Sequence, residues 1–273
     1  MKFLSTRRRH PLAGLVVVLL GLVVAGALFS AFAPASADDS GKSDEELIAQ
    51  GRQLFVVGCS SCHGLNAEGI VTDNGTNLGP PLIGVGAAAV DFWVGTGRMP
   101  LAAPGVQAPA SAEVLYNEEE TAAMAAYIAS LQPGPAIPSD DEIDVSDLSN
   151  DEIVEGGTFF KTNCTACHNF AAVGGALPSG GYAPSLLDTT PRHIIEAMLT
   201  GPGQMPVFSD GVLTPQEKKE ILGYLQQLKD EPSYGGSGLG SKGPVTEGLW
   251  GWLAGIGVLV LATVWIANNG ARA

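Results

Sequence analysis

Two long apolar segments lie near the ends of the chain. The first spans residues 12–32 and follows four basic residues, and the second spans residues 249–266. Each is long enough to cross a bilayer as a helix, which takes about 20 residues. Tryptophans stand at both edges of the second segment, and Trp side chains favour the two membrane–water interfaces. The second segment is therefore predicted to be a C-terminal transmembrane anchor rather than a buried core helix.

The first apolar segment has the three parts of an export signal. It has a basic start, an apolar middle and a small-residue ending at Ala35-Ser36-Ala37. Its apolar part is longer than a usual signal core, so retention as an N-terminal anchor helix is the alternative. We favour cleavage after Ala37. In both cases the chain that follows leaves the cytoplasm.

Between these segments, four stretches have the apolar spacing of three and four that marks one face of a helix. Two of these stretches each precede a cysteine pair, and the other two each follow a Met-Pro pair. The predicted helices span residues 45–57 and 117–131, then 151–162 and 214–228. No run alternates convincingly with period two. This part of the chain is therefore predicted to be mainly helical with long loops.

Composition and charge agree with an exported, membrane-bound protein. The 273 residues are 45% hydrophobic and only 15% charged, which favours membrane segments. All 28 acidic side chains, but only 9 of the 14 basic ones, lie between the two apolar segments. This negative charge excludes a nucleic-acid binder and attracts positively charged partner faces. Residues 140–155 contain eight acids and no Lys or Arg, and we expect a solvated linker there.

The exported part contains one module twice, the second copy about 105 residues after the first. Four features recur in the same order: a Gly-x-x-x-Phe pair, a Cys-x-x-Cys-His motif, a Pro-x-Leu segment and a Gly-x-Met-Pro segment. They begin at Gly51, Cys59, Pro80 and Gly97 in the first copy, and at Gly156, Cys164, Pro184 and Gly203 in the second. This repeat predicts two domains of the same fold.

The Cys-x-x-Cys-His motif predicts covalent attachment of haem c. Two sulfurs three residues apart share one helix face, so each can add to a haem vinyl group, and the adjacent imidazole reaches the iron. The predicted ligands are Cys59, Cys62 and His63 for one haem, and Cys164, Cys167 and His168 for the other. A structural zinc site and a thioredoxin-like dithiol are the alternatives. Zinc needs four ligands within one fold, and the dithiol accompanies a strand–helix–strand pattern that this sequence lacks.

Met99 and Met205 are the predicted sixth ligands of the two irons. They follow the motif histidines by 36 and 37 residues, and each stands in a Gly-x-Met-Pro loop that can fold over the haem edge. A thioether favours ferrous iron and raises the potential, while two filled axial positions leave no open site for oxygen or peroxide chemistry. The predicted product is an electron carrier. Core filling is the alternative role of Met, and we expect it for Met124 and Met198.

Three other residues have less direct interpretations. His193 lies in a helix-like run without a counterpart in the first copy, so we expect a surface or core histidine rather than a ligand. Pro80 and Pro184 either present a backbone carbonyl to the free imidazole nitrogen of the motif histidine, which would fix its ring, or simply stiffen their loops.

At these residues the chain resembles class I c-type cytochromes. The Gly-x-x-x-Phe pairs are similar to the family's N-terminal helix, which crosses a C-terminal helix bearing an aromatic, here Tyr127 and Tyr224. Pro-x-Leu and Gly-x-Met-Pro match its loop and sixth-ligand segments. An export signal, two such modules and one C-terminal anchor together resemble the dihaem cytochrome cc subunits of actinobacterial cytochrome bcc complexes over nearly the whole chain.

This resemblance implies a quinol:cytochrome c reductase, an oxidoreductase and translocase whose cytochrome b subunit and Rieske iron–sulfur protein are partners. The Rieske protein would hand electrons to a subunit with two covalently bound haem c groups, which passes them to a haem-copper oxidase of the respiratory chain. A dihaem subunit of a terminal oxidase and a dihaem peroxidase are the alternative functions. The first is usually anchored at its N-terminus. The second needs a haem that releases its sixth ligand and a distal acid or base, and the sequence announces no such pair.

The predicted fold is mainly α, with two tandem class I cytochrome c domains, long loops, an N-terminal signal or anchor helix and a C-terminal transmembrane helix. Both haem domains would lie outside the cytoplasm, with the C-terminus beside Arg272 in the cytoplasm. The predicted segments are the signal or anchor 1–37, the first domain 38–132, the acidic linker 133–148, the second domain 149–231, the Gly-rich tether 232–248, the transmembrane helix 249–267 and the tail 268–273.

Overall fold

The computed structural model describes residues 15, 17–24, 43–178, 180–230 and 244–270. Most of the predicted signal or anchor, the predicted tether up to residue 243 and the last three residues lie outside the described residues. The chain divides after Ser43 into two compact units. In the first unit, residues 15 and 17–24 are helical and exposed.

The second unit contains two similar modules of helices, as the sequence predicts. The first module consists of α1 Asp44–Gly58, α2 Ser60–His63, β1 Ile70–Val71, β2 Asn77–Gly79, α3 Ala87–Gly95 and α4 Glu118–Leu131. The short helix α5 Asp140–Ile143 follows. The second module consists of α6 Asn150–Asn163, α7 Thr165–His168, β3 Gly175–Ala176, β4 Tyr182–Ala183, α8 Pro191–Thr200 and α9 Pro215–Asp230, and the last described helix is α10 Pro244–Gly270.

The strands form two short antiparallel hairpins, one in each module. Ile70 is paired with Gly79 in the first, and Gly175 with Ala183 in the second. Each hairpin follows the Cys-x-x-Cys-His motif and leads into the Pro-x-Leu segment. Strands of two or three residues are too short to show period-two alternation, which is why the sequence did not predict them.

Capping boxes fix the starts of three of the long helices. At α4, the Asn117 side chain accepts a hydrogen bond from the Glu120 backbone at 2.9 Å, and the Glu120 carboxylate accepts one from the Asn117 backbone at 3.0 Å. Ser149 and Thr214 start α6 and α9 in the same way. Each N-cap of this kind stabilises a helix by about 1 kcal/mol.

In the first module, α1 crosses α4 at Gly51. A Cβ built on Gly51 would overlap the Ala123 carbonyl oxygen, so only glycine allows the two backbones to lie this close. One turn later, Phe55 packs against Tyr127 with ring centroids 5.4 Å apart. The Gly-x-x-x-Phe pair therefore forms the helix crossing that the sequence predicted.

The second module repeats this crossing between α6 and α9. A Cβ on Gly156 would overlap the Glu220 carbonyl oxygen, and the rings of Phe160 and Tyr224 lie 5.5 Å apart. Each crossing is the centre of a separate apolar core. Met124 and Met198 lie inside these cores, 1% and 2% exposed, as predicted for core methionines.

The segment between the modules, residues 133–148, is packed against both of them. Ile137 contacts the core of the first module, and Ile143 and Val145 contact the core of the second. Asp147 forms an ion pair with Lys219 at 2.7 Å. Seven of the eight acids in residues 140–155 are exposed, as expected of a solvated stretch, but residues 150–155 belong to α6, and the apolar residues among the acids make contacts that the charge pattern does not reveal.

The two modules contact each other directly. Helix α3 of the first module packs against α8 of the second. The loop that precedes α4 also reaches across: the Gln107 amide donates to the Tyr182 carbonyl oxygen at 2.7 Å and accepts from the Tyr182 backbone N–H at 2.8 Å. A single side chain thereby joins this loop to strand β4.

Helix α10 ends the described chain with a long apolar surface. Residues 248–270 have a mean hydropathy of 2.0, and none of the most apolar stretch is buried. Within the described part of the chain, this is the one helix long and apolar enough to cross a membrane. Its exposed apolar side chains fit contact with lipid tails better than contact with water.

Candidate haem-binding sites

A backbone carbonyl holds the histidine of each Cys-x-x-Cys-His motif. His63 Nδ1 lies 2.8 Å from the Pro80 oxygen, and His168 Nδ1 lies 3.1 Å from the Pro184 oxygen. Since a carbonyl oxygen only accepts hydrogen bonds, Nδ1 carries the proton and Nε2 keeps its lone pair for a metal. Of the two roles considered for these prolines, the structure confirms the carbonyl contact.

The same loop geometry positions both carbonyls. The Leu82 backbone N–H donates to the Ala67 oxygen, and that of Leu186 donates to the Ala172 oxygen, both at 2.8 Å. Ala67 and Ala172 are fully buried and share a left-handed backbone conformation, with φ of 61° and 57°. The Pro-x-Leu segment is thus tied to the loop after the motif in both modules, which sets the orientation of the imidazole.

The motif cysteines are unpaired thiols on a helical turn. Burial, and secondarily the neighbouring thiol, raise the pKa of Cys59 and of Cys164 to about 11. Burial also lowers the pKa of His168, against the opposing effect of its hydrogen bond to Pro184. Unpaired thiols on one helical turn beside an imidazole with a free Nε2 are the groups that covalent haem attachment requires, since the sulfurs add to the vinyl groups and the imidazole binds iron.

The two predicted sixth ligands lie on loops fixed by backbone hydrogen bonds. The Met99 N–H donates to the Trp93 oxygen at 2.9 Å, and the Met205 N–H donates to the Pro202 oxygen at 3.1 Å. Both methionines are only partly buried and border the cores, unlike Met124, which lies inside one. This difference is what a ligand at the edge of a core requires.

All eight predicted ligands line one continuous cavity of about 1020 Å³, which extends across both modules. Apolar side chains such as Phe55, Leu82, Ile194 and Leu225 form much of its wall. Each module therefore offers two thiols, one imidazole with a free Nε2 and one thioether around an apolar space. This donor set and lining fit haem c. The role of each residue as a ligand stays a prediction.

A third cluster was not expected from the sequence. Asp91 on α3 lies with His193 and Glu196 on α8, and their donor atoms are within 4.8 Å of one another. Glu196 is fully buried, whereas His193, interpreted above as an ordinary histidine, is half-buried beside it. The available signals were weak: one acid in the otherwise apolar run of α3, and one acid among the buried residues of α8.

Two family models match the chain, one for each module. The model described as "Cytochrome c" matches residues 48–132. The model described as "Cytochrome C oxidase, cbb3-type, subunit III" matches residues 151–225. The two modules are therefore two cytochrome c domains, as their matching loops and helix crossings indicate.

The chain is also similar to full-length curated proteins that carry the description "Cytochrome bc1 complex cytochrome c subunit". The protein of Corynebacterium efficiens is 41% identical over 96% of this chain and 90% of its own length. That of Corynebacterium diphtheriae is 40% identical, over 96% and 95%. That of Mycobacterium tuberculosis is 39% identical, over 95% and 92%. Because the similarity covers both cytochrome c domains and nearly the whole chain, the protein belongs to the family of cytochrome c subunits of the cytochrome bc1 complex.

Proposed function

We propose that this chain relays electrons from the Rieske protein of a quinol:cytochrome c reductase to a haem-copper terminal oxidase of the respiratory chain. The observation that carries the proposal is that one cavity is lined by the four predicted ligands of each haem. Two ligand sets in one cavity are what a carrier needs to pass electrons within one chain. The family adds that such subunits belong to a cytochrome bc1 complex.

Each domain would hold one covalent haem c. The thioether bonds would form at Cys59 and Cys62 in the first domain and at Cys164 and Cys167 in the second. The axial ligands would be His63 with Met99, and His168 with Met205. When bound, haem c supplies a one-electron Fe(III)/Fe(II) couple.

The protein's own groups tune and protect that couple. The Pro80 and Pro184 carbonyls accept hydrogen bonds from the Nδ1–H groups of His63 and His168, which increases the electron donation of each imidazole and fixes its ring. The apolar wall limits the access of water, and the neutral Met sulfur favours the reduced state. With a histidine and a methionine assigned to each iron, no position is left for peroxide. This favours a carrier over a dihaem peroxidase.

Contacts between the domains support transfer within the chain. The packing of α3 on α8 and the two Gln107–Tyr182 hydrogen bonds hold the domains together. Because both haem domains are on one chain, electron transfer between them does not depend on the concentration of a second, diffusing protein. The net charge of −14 favours partners with positively charged docking faces on the Rieske protein, cytochrome b subunit or oxidase.

The proposed topology has one C-terminal anchor. Helix α10 would cross the membrane, with the cytochrome domains outside the cytoplasm and the C-terminus inside. We assign the domains to residues 38–132 and 149–231, joined by the linker 133–148 and followed by the tether 232–248. The family-model matches at 48–132 and 151–225 support these limits.

Purification of the full chain from its native membranes tests the proposal. We expect a b-type cytochrome and a Rieske protein to co-purify, with reduced-minus-oxidised spectra corresponding to two c-type haem groups per chain. Quinol should reduce both, and oxygen should reoxidise them through the associated oxidase. Co-purification with an oxidase but without a Rieske protein would favour the terminal-oxidase alternative. Hydrogen peroxide turnover by the purified chain would favour a peroxidase.

A further inference from the structure

The Asp91, His193 and Glu196 cluster lies where the two cytochrome domains meet. Asp91 belongs to α3 of the first domain, and the other two residues belong to α8 of the second. The His193 ring packs edge-on against Phe92, with ring centroids 6.2 Å apart. Gly95 leaves room for this ring, since a Cβ there would lie 3.2 Å from Nε2. One imidazole and two carboxylates thus converge from both domains on one point.

Glu196 shows that this cluster differs from an ordinary group of surface acids. It is 0% exposed, and within the described part of the chain no donor group hydrogen-bonds to either carboxylate oxygen; the polar group close enough to share a proton with it is the Asp91 carboxyl. A buried carboxylate without a partner costs several kcal/mol, so such groups are normally paired, hydrogen-bonded or bound to a metal. The possible donor atoms of Asp91 and His193 lie within 4.8 Å of it.

The two carboxylates of the cluster are not neutralised by the neighbouring arginines. Burial, and then the Asp91 carboxyl, raise the pKa of Glu196 to about 10, whereas the neighbouring Arg192 acts in the opposite direction. Arg192 is exposed, and the Arg98 guanidinium stacks over the Phe92 ring at 4.8 Å. Neither arginine forms an ion pair with Glu196 among the described contacts. Two adjacent carboxylates are satisfied either by a shared proton or by a cation.

We propose that Asp91, His193 and Glu196 bind one divalent ion of the Zn²⁺ type, which joins the two cytochrome domains. One imidazole nitrogen with two carboxylate oxygens is a common zinc ligand set, with water as the fourth ligand. Donor atoms of a tetrahedral zinc site lie about 3.4 Å apart when the metal–ligand bonds are about 2.1 Å. Since the three donors already lie within 4.8 Å, small side-chain rotations bring them to bonding distance.

The ion would connect the domains through residues that are not among the predicted haem ligands, although His193 also lines the cavity that those ligands share. The charges of two carboxylates and one divalent ion sum to zero, so ion binding offsets the free-energy cost of burying the Glu196 carboxylate. The ligands come from α3 and α8, so the ion restrains a helix pair through which the domains pack. This inference does not depend on the direction of electron flow or on the partners of the chain.

Equilibrium dialysis of the tag-free, haem-loaded full chain in detergent tests the site. The protein is stripped with EDTA and dialysed against ZnCl₂, and zinc per chain is then measured by mass spectrometry. We expect one bound zinc in the wild type. Glu196→Gln and Asp91→Asn should each weaken binding at least about tenfold, a loss seen even for residues that only orient metal ligands. X-ray absorption at the zinc edge should show nitrogen and oxygen neighbours and no sulfur.

Glu220→Gln is the matched control, because Glu220 is also buried, 7% exposed, but lies on α9 outside the cluster. It should bind zinc like the wild type. Unchanged c-type absorbance in each variant reports an intact fold, and the half-exposed Asp91 provides a second test if Glu196→Gln does not fold. Three results would overturn the proposal: a wild type without stoichiometric zinc, Glu196→Gln and Asp91→Asn variants that bind zinc as tightly as the wild type, or sulfur neighbours in the X-ray absorption spectrum. The first result would instead assign a shared proton to the pair.

Discussion

The two cytochrome domains are alike where they surround the cavity and different where they meet. The histidine–carbonyl distances are 2.8 and 3.1 Å, and the aromatic pairs at the helix crossings are 5.4 and 5.5 Å apart. By contrast, 17 residues separate Pro100 from α4, whereas 8 separate Pro206 from α9. The long loop of the first domain carries Gln107, which binds the second domain.

This comparison separates two kinds of constraint on the chain. The residues that surround the cavity must satisfy the same cofactor chemistry twice, so they recur at matching positions. By contrast, a residue that joins the domains needs a partner in the other domain, so the two sides of such a contact can differ. Gln107 of the first domain, for example, binds the Tyr182 backbone of the second. Gln107 and the cluster of Asp91, His193 and Glu196 belong to this second group. Gln107 and His193 have no counterpart in the other copy, whereas Asp91 and Glu196 stand 105 residues apart, at equivalent positions of the repeat, and meet between the domains.

Removal of one cysteine pair should have the largest effect, and it tests whether the two domains bind haem in the same way. We expect Cys59→Ser with Cys62→Ser to remove one covalent haem, because serine does not form the thioether bond. Cys164→Ser with Cys167→Ser should have the same effect in the other domain. Each double variant should show half the c-type absorbance per chain and one haem addition by mass spectrometry. Two haem additions in either variant would contradict the assignment of that pair.

Substitution of the predicted sixth ligands should have an intermediate effect. Met99→Leu and Met205→Leu should each lower the midpoint potential of one haem, by roughly a few hundred millivolts within the span of about 0.8 V that axial ligands set. The altered haem should also bind carbon monoxide, since a coordination position opens. Redox titration and carbon monoxide difference spectra measure both effects.

The buried core methionines are the controls for this experiment. Met124→Leu and Met198→Leu conserve volume, so they should cost less than about 1.5 kcal/mol of stability and leave both potentials unchanged. An unchanged potential in Met99→Leu or Met205→Leu would reject that residue as a ligand. A shifted potential in the controls would show that packing, rather than ligation, controls the measurement.

Breaking the contact made by the long loop should have the smallest effect. Gln107→Ala removes both hydrogen bonds to Tyr182, which should cost about 1 kcal/mol. Limited proteolysis should cut residues 101–110 faster, while haem content and potentials stay as in the wild type. Gln226→Ala is the control, since Gln226 bonds only to Asp230 on its own helix among the described contacts. Equal cleavage of the loop in Gln107→Ala and the wild type would mean that this contact does not hold the loop.

The sequence predicted most of the elements because their signals are local. Helix periodicity and N-terminal capping residues located the four long helices of the two domains to within a few residues. The repeat identified the glycines and aromatics at both crossings. The short hairpins and the packing of the acidic stretch were not predicted. Two paired residues have no period, and apolar contacts among acids depend on which surfaces lie nearby.

The eight candidate ligands were also selected by sequence, since the spacing within a motif fixes which donors share one helical turn. Only the tertiary structure decided that both ligand sets line one cavity, that Pro80 and Pro184 hold the motif histidines, and that Asp91 approaches His193 and Glu196. The physical reason is distance along the chain. Local sequence fixes what each residue can do, whereas the packing of α3 on α8 determines which distant residues become neighbours.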